Sequence, residues 1–161
     1  MTTLASPRQI ESTLKPTLRD IIQHAREREY MSGPQRDAAR IKATGEIFTP
    51  TPLVQELLDQ LPQDLFEDPT KTFCDPACGD GQFLVEVLIR KMEYGSTFEQ
   101  ALSTIYGIDL MPDNVEECRS RLLCEQEQYR KIVENNIVCA DALTYDNTFG
   151  QPVGLAEYFT D

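Results

Sequence analysis

The sequence contains no tryptophan, one histidine, and only 15 lysine and arginine residues against 27 aspartate and glutamate residues. The formal charge of −12 disfavours autonomous DNA binding, because a polyanion repels phosphates unless its basic residues are focused in one place. Basic residues do concentrate before residue 45, at Arg26, Arg28, Arg36, Arg40 and Lys42. Two interpretations stay open for them: a local basic surface, or solvated helix faces.

Long apolar runs and paired cysteine motifs are also missing. No stretch approaches the roughly 18 consecutive apolar residues of a membrane-spanning helix, and residues 1–15 lack the apolar run of a signal peptide. We therefore expect a cytoplasmic protein with no membrane partner. The five cysteines are odd in number, have no CxxC spacing and lie in segments that we predict to be buried, which favours plain thiols over disulfides or zinc ligands. They are Cys74, Cys78, Cys118, Cys124 and Cys139.

With 161 residues, 40% of them hydrophobic, the chain has room for one folded domain with a real core. Apolar residues at three- and four-residue intervals predict two helices within residues 1–44, with a break at residues 32–34. Pro50 and Pro52 predict a loop after these two helices, and residues 53–60 are predicted to form the next helix. The apolar stripe of that helix consists of Leu53, Val54, Leu57 and Leu58.

From residue 71 onward, short apolar runs alternate with helical stretches, which is typical of βαβ units in the α/β class. The predicted strands span residues 72–74, 104–108 and 136–139, and the helices that follow the first two span residues 81–93 and 112–128. A turn-rich tail follows, and its apolar stretch at residues 155–159 could pair with a strand or pack on the fold.

The first predicted strand leads into the turn Asp75-Pro76-Ala77-Cys78-Gly79-Asp80-Gly81, which opens a helix. Glycines in such a turn let the backbone approach a ligand. The segment lacks the lysine of a phosphate-binding loop. Its acidic residues on each side of the glycine turn suit a ligand that carries an ammonium or a sulfonium group. The alternative is a bare turn with glycine at positive φ.

Acidic residues also follow the second and third predicted strands. A carboxylate at the position of Asp109 can accept hydrogen bonds from both hydroxyls of a ribose, and its neighbours Ile108 and Leu110 can form one wall of a purine slot. The alternative for Asp109 is the N-cap of the next helix. Asp141 can accept a hydrogen bond from an adenine amine, and helix capping or turn formation is the alternative there.

Four segments, GEIFTPTPLVQELL, FCDPACGDGQFL, YGIDLMPDNVEECRSRL and NIVCADAL, occur in this order between residues 45 and 146. Together they resemble the adenine-N6 DNA methyltransferases of restriction-modification systems. The resemblance implies a partial Rossmann-like (class I methyltransferase) three-layer sandwich over residues 45–150, truncated after its third strand. A helical extension over residues 1–44 would precede it, and a tail over residues 151–161 would follow.

The resemblance also implies S-adenosylmethionine as the cofactor, with S-adenosylhomocysteine as its product form. The residues that it assigns to cofactor binding are Phe48, Thr49, Pro50, Asp75, Ala77, Gly79, Gly81, Phe83, Asp109, Leu110, Asp141 and Ala142. An anchor between the N-terminal helices and the sheet is an equal alternative for Phe48.

The catalytic loop of these methyltransferases, Asp or Asn, two prolines and an aromatic residue, has no counterpart here. The chain contains no Pro-Pro pair, and its only proline after residue 112 is Pro152. We therefore assign no catalytic and no metal-binding residue, and leave open whether the chain is an enzyme. We expect the S-adenosylmethionine-binding part of an adenine-N6 DNA methyltransferase, which contacts DNA only through a partner chain or a missing C-terminal half.

Two alternatives remain open. One is a stand-alone, non-catalytic S-adenosylmethionine-binding or regulatory protein derived from such an enzyme. The other is a scaffold with an empty site, or an acidic protein that binds a DNA-binding partner. In the methyltransferases that the sequence resembles, a fourth strand pairs with the free edge of the first strand. We therefore expect residues 155–159, a second copy of the chain or another protein to cover that edge, and we expect a homo- or hetero-oligomer.

Overall fold

The computed structural model describes residues 15–28, 37–44, 46 and 49–150. Short helices and three strands alternate along this part of the chain. In chain order they are α1 (Leu18–Glu27), α2 (Ala38–Thr44), α3 (Thr51–Asp59), α4 (Asp64–Glu67), β1 (Phe73–Asp75), α5 (Gln82–Glu93), α6 (Phe98–Ser103), β2 (Ile105–Asp109), α7 (Pro112–Leu123), α8 (Arg130–Asn136) and β3 (Ile137–Cys139).

The three strands form a parallel sheet in the order β1-β2-β3. Phe73 lies beside Ile105, and Gly107 lies beside Ile137, so the carboxyl ends of all three strands meet at one edge. The predicted α/β class is confirmed, and each predicted strand is correct to within one residue at either end. The finer Rossmann-like sandwich stays a prediction.

The core lies between the sheet and α5. Leu84, Val85 and Leu88 of this helix are all buried, and α5 contacts β1, β2, α1 and α3. Ile21 of α1 is only 1% exposed and belongs to the same apolar cluster. Helix α1 is therefore packed against the core through an apolar anchor.

The opposite face of the sheet carries Cys74, Tyr106 and Ile108, because side chains alternate between the two faces along a strand. The ring of Phe149 meets that of Tyr106 edge-on, with their centroids 4.9 Å apart. The backbone N–H of Phe149 donates to the Tyr145 hydroxyl oxygen at 2.7 Å. The segment after β3 thus turns back over this face of the sheet.

Two helix predictions need correction. The helix predicted over residues 112–128 ends at Leu123, because Cys124 and Glu125 adopt positive φ angles of 49° and 61°. A short 3-10 turn, Glu127–Tyr129, and α8 follow. In α3, which begins two residues before its predicted start, the predicted apolar stripe is only half buried. Val54 and Leu58 lie in the core, whereas Leu53 and Leu57 are 45% and 41% exposed.

The prediction that all five cysteines are buried is wrong for two of them. Cys78, Cys118 and Cys124 are buried, but Cys74 in β1 and Cys139 in β3 are exposed. Within the described ranges, no group of histidine, cysteine and acidic side chains is arranged to hold a metal ion. The same ranges contain no helix that is both long enough and apolar enough to cross a membrane.

Several predicted features lie outside the described residues. They are the start of the first predicted helix, the helix break at residues 32–34, Arg36, Phe48, and the tail over residues 151–161. Among the described strands, β1 pairs only with β2. An apolar groove of about 260 Å³ runs beside β1, lined by Leu58, Phe73, Cys74, Asp75, Pro76, Phe83, Leu84 and Val87.

Candidate functional site

The turn between β1 and α5 is held by its own hydrogen bonds. Four of its backbone N–H groups find acceptors within the protein: Ala77 on Asp75 Oδ1 (3.0 Å), Cys78 on the Ile108 carbonyl (2.9 Å), Gly79 on Asp109 Oδ2 (3.0 Å) and Gly81 on the Cys78 carbonyl (2.9 Å). Because these groups are already occupied, the turn does not offer them to an anion. This arrangement agrees with the expectation that the turn is not a phosphate cradle.

The two glycines of the turn have different surroundings. Both have positive φ angles, 53° at Gly79 and 93° at Gly81. A Cβ atom on Gly79 would meet nothing within 4 Å, so the backbone there borders open space. A Cβ atom on Gly81 would lie 2.9 Å from Cys118 Sγ of α7. Gly79 can therefore border a ligand, whereas Gly81 is needed for the close packing of α7 against the turn.

Asp109, the last residue of β2, is fixed by three donors. Its Oδ2 accepts from the Gly79 N–H, and its Oδ1 accepts from the Met111 N–H at 2.9 Å and from Asn114 Nδ2 at 3.2 Å. The N-cap of α7 is Met111, so Asp109 orders the turn before the helix and is not its cap. A carboxylate can accept about four hydrogen bonds, which leaves one position on Oδ2 for a further donor.

Asp75 lies at the carboxyl end of β1, opposite Gly107 of β2 and therefore two residues before the level of Asp109. Burial raises the pKa of the Asp75 carboxyl, the hydrogen bond from the Ala77 N–H lowers it, and the charge of Asp109 raises it again. The two carboxylates therefore repel each other across the strand ends. A positively charged ligand group beside them would be attracted to both.

The turn's second acidic residue, Asp80, corrects our expectation. Its side chain is only 3% exposed and accepts from Arg28 at 3.0 Å and from Arg121 at 3.3 Å. Burial lowers the pKa of the Arg121 guanidinium, and the charge of Asp80 opposes that shift. Asp80 thus does not flank a ligand but ties the turn to the segment after α1 and to α7. Residues so distant in sequence carry no local signal for this contact.

The end of β3 lies beside the end of β2, because the Ala140 N–H donates to the Asp109 carbonyl at 3.0 Å. The Asp141 side chain accepts a hydrogen bond from the Leu143 N–H at 2.9 Å, as the alternative of turn formation predicts. Asp141 is an exposed residue. Ala142 is half-buried, and Leu110 is 61% exposed. The structure therefore brings Asp141 to the same edge as Asp109 without a side-chain contact between the two.

The other predicted site residues lie around the start of α5. The Thr49 carbonyl accepts from Gln82 Nε2 at 2.8 Å, so the segment before α3 adjoins the glycine turn. Pro50 is the N-cap of α3, and Ala77 is exposed in the turn. Phe83 packs against the core and lines the groove beside β1, which gives it a structural role independent of any ligand.

Three of the basic residues that concentrate before residue 45 are held by carboxylates, whereas Lys42 is exposed on α2, as expected for a solvated helix face. Arg26 donates to both carboxylate oxygens of Glu86, at 2.5 and 3.1 Å. Arg28 pairs with Asp80 and Glu117, and Arg40 pairs with Glu46 and Asp113. These guanidinium groups bind carboxylates of the fold, and they form neither a free basic surface nor simply solvated helix faces.

A parallel sheet whose strand ends carry carboxylates beside a glycine turn is typical of ligand sites in α/β proteins. A family model described as N-6 DNA Methylase matches residues 34–153, and the chain belongs to this family. The Type II methyltransferase M.VspI of Vibrio sp. (strain 343) is 33% identical over 116 residues, which cover 67% of this chain and 25% of that relative.

The chain therefore spans about a quarter of the length of that relative. No solved structure gives a significant match. The family predicted from the sequence is confirmed, and so is its connection with DNA methylation and restriction-modification.

Proposed function

We propose that this chain is the S-adenosylmethionine-binding part of an adenine-N6 DNA methyltransferase, and that the catalytic loop lies outside these 161 residues. The single observation that carries the proposal is the convergence of Asp75, Gly79 and Asp109 at the carboxyl ends of β1 and β2. Methyltransferases of the family to which the chain belongs generally use this cofactor.

The electrostatics of the site favour a cation with a nucleoside attached. Two carboxylates at adjacent strand ends, with Asp75 destabilised as an anion by burial and by Asp109, suit the ammonium or sulfonium group of S-adenosylmethionine. The position left on Asp109 Oδ2 suits a ribose hydroxyl, which can donate. In this arrangement Asp75 would bind the methionine end, Asp109 the ribose, and exposed Leu110 would flank the base.

The distribution of charge supports DNA binding through residues that are not part of this chain. The net charge is −12, and Arg26, Arg28 and Arg40 of the N-terminal segment are engaged by carboxylates. A protein surface that binds duplex DNA must neutralise several phosphates with free basic groups. The groove and unpaired edge of β1 also suit a further strand from the rest of a methyltransferase, in the same chain or in a partner.

Calorimetric titration with S-adenosylmethionine and S-adenosylhomocysteine tests the proposal directly. We expect both to bind, and Asp109→Ala to weaken binding by about 1–3 kcal/mol through the lost hydrogen bond. Asp68→Ala is the matched control. The Asp68 carboxylate also accepts the backbone N–H two residues further along, from Thr70 at 2.8 Å, but it lies before the amino end of β1. Equal affinities of Asp109→Ala and the parent would contradict the ribose assignment.

A second measurement separates cofactor binding from catalysis. The purified chain, incubated with duplex DNA and labelled S-adenosylmethionine, should transfer no methyl group to adenine, because no residue set in the sequence matches the family's catalytic loop. Methylated adenine in this reaction would show that the chain carries a different acceptor loop. The segment Gly150-Gln151-Pro152-Val153-Gly154 would then be the first to mutate.

A further inference from the structure

Asn114, in the first turn of α7, makes an unusual pair of contacts. Its side chain is only 1% exposed, and the single Nδ2 group donates to Asp109 Oδ1 and to Glu46 Oε1, both at 3.2 Å. An NH2 group has two hydrogens, so one amide can serve both carboxylates at once. Neither our motif analysis nor the family resemblance assigned a role to Asn114 or to Glu46.

Two carboxylates on one buried amide need compensation for their charge. Arg40 supplies it: its Nε and one terminal nitrogen donate to Glu46 Oε1 at 3.1 and 3.0 Å, while the guanidinium also pairs with Asp113. The hydrogen bonds with Asp113, and then with Glu46, raise the pKa of Arg40 further above its ordinary value. The chain of contacts therefore runs from α2 through Glu46 and Asn114 to Asp109.

The effect on Asp109 is geometric. With Met111 and Asn114 both donating to Oδ1 and Gly79 donating to Oδ2, the carboxylate has one orientation. Without the Asn114 amide, Oδ1 keeps only the Met111 N–H, and the carboxylate can rotate away from Gly79. The position on Oδ2 that we assign to a ribose hydroxyl would then be lost or displaced.

We propose that Asn114, supported by Glu46 and Arg40, is a positioning residue that sets the orientation of the Asp109 carboxylate for the ligand. It acts through Asp109 and does not itself touch the ligand. The effect of Asn114 on ligand binding rests on the proposed function, but the orientation of the Asp109 carboxylate exists without any ligand. The two can therefore be tested separately.

The first test uses the ligand-free protein. Amide hydrogen exchange of Gly79, measured by NMR, should be about fivefold to tenfold faster in Asn114→Ala than in the parent, which corresponds to the loss of one hydrogen bond. Exchange of the Phe73 amide, which donates to the Thr104 carbonyl at the other end of β1, should keep its rate. Unchanged exchange at Gly79 would overturn the proposal whether or not the protein binds S-adenosylmethionine.

The second test uses S-adenosylhomocysteine as the probe. Asn114→Ala should weaken its binding about threefold to tenfold in the parent and by less than twofold in an Asp109→Ala background, because the effect passes through Asp109. An equal loss in both backgrounds would overturn the proposal. If the parent does not bind the probe at all, the proposed function fails, and the Gly79 exchange still decides the role of Asn114.

Asn136→Ala provides the matched control. Asn136 is also buried, 8% exposed, and donates through Nδ2 to the carbonyls of Leu102 and Ser103, far from the glycine turn. Its loss should lower stability without changing Gly79 exchange or probe affinity. If Asn114→Ala does not fold, Asn114→Leu replaces it, because leucine fills a similar volume and has no donor hydrogen for either carboxylate.

Discussion

Replacement of Gly81 by alanine tests the packing of α7 against the glycine turn. The backbone at Gly81 has a φ of 93°, a conformation that costs a residue with a Cβ about 1–3 kcal/mol. The new methyl group would also lie 2.9 Å from the buried Cys118 Sγ, and overpacking of this kind costs a further 1–3 kcal/mol or so. We therefore expect Gly81→Ala to lower the free energy of unfolding by about 2–6 kcal/mol.

Gly95 allows the two contributions to be separated. It has a comparable φ of 105°, but a Cβ atom there would meet nothing within 4 Å. Gly95→Ala should therefore show the backbone cost alone, about 1–3 kcal/mol. Equilibrium urea unfolding of both variants under reducing conditions, followed by circular dichroism, measures the difference.

Removal of the Cys118 sulfur provides an internal check. In a Cys118→Ala background, Gly81→Ala should cost about 1 kcal/mol less than in the parent, because the nearest remaining atoms of residue 118 lie 3.5 Å from the new methyl group. Equal losses for Gly81→Ala and Gly95→Ala, together with no coupling to Cys118, would refute the packing argument. The strain at Gly81 would then be purely a matter of its backbone.

Two further predictions concern charges at the turn. Asp75→Asn keeps the acceptor for the Ala77 N–H but removes the buried charge. It should stabilise the ligand-free protein by about 0.5–1 kcal/mol at pH 7, measured by urea unfolding, and weaken S-adenosylmethionine binding. Because the folded-state pKa of Asp75 is raised, the charge of Asp75 costs stability in full only above that raised pKa. The cost falls away as the pH drops from there to the ordinary pKa of 3.8, so the gain in Asp75→Asn should disappear below pH 3.8. A variant less stable than the parent at pH 7 would contradict this. Arg28→Met should cost about 2–4 kcal/mol because it leaves buried Asp80 with weaker compensation. Arg130→Met, which breaks the exposed pair with Glu127, should cost much less, and similar losses in these two variants would argue against a special role for the buried pair.

Local sequence patterns were sufficient for the strands and for the turn between β1 and α5. The runs that end at Asp75, Asp109 and Cys139 are short and apolar, and each is followed by a turn or a helix start, which limits where a strand can end. Parallel pairing then brings the strand ends together, so Asp75 and Asp109 could be expected at one edge without knowledge of their contacts.

The errors arise where the fold depends on contacts between distant residues or on rare backbone conformations. Cys124 and Glu125 end α7 with positive φ angles, although neither residue type favours that conformation. We expected Asp80 to flank a ligand because nothing in the local sequence indicates its ion pairs: its arginine partners lie 52 and 41 positions away. Asn114 belongs to no motif to which we assigned a function, and the role that we propose for it rests on its burial between Asp109 and Glu46.

The attachment of α2 makes the state of the site depend on ionic strength. This helix buries no side chain, and the ion pairs described for it run through Arg40 to Glu46 and Asp113. Mobile ions weaken the partly exposed Arg40–Asp113 pair as the screening length falls from about 10 Å at 0.1 M salt to about 3 Å at 1 M, whereas the Arg40–Glu46 pair, with side chains 16% and 10% exposed, is screened less. Glu46 and Asp109 accept from the same Asn114 amide. A change in salt concentration that loosens α2 should therefore alter the orientation of the Asp109 carboxylate, even when the ligand carries no net charge. We therefore expect that ligand affinities measured at different salt concentrations reflect different fractions of molecules in which α2 is attached.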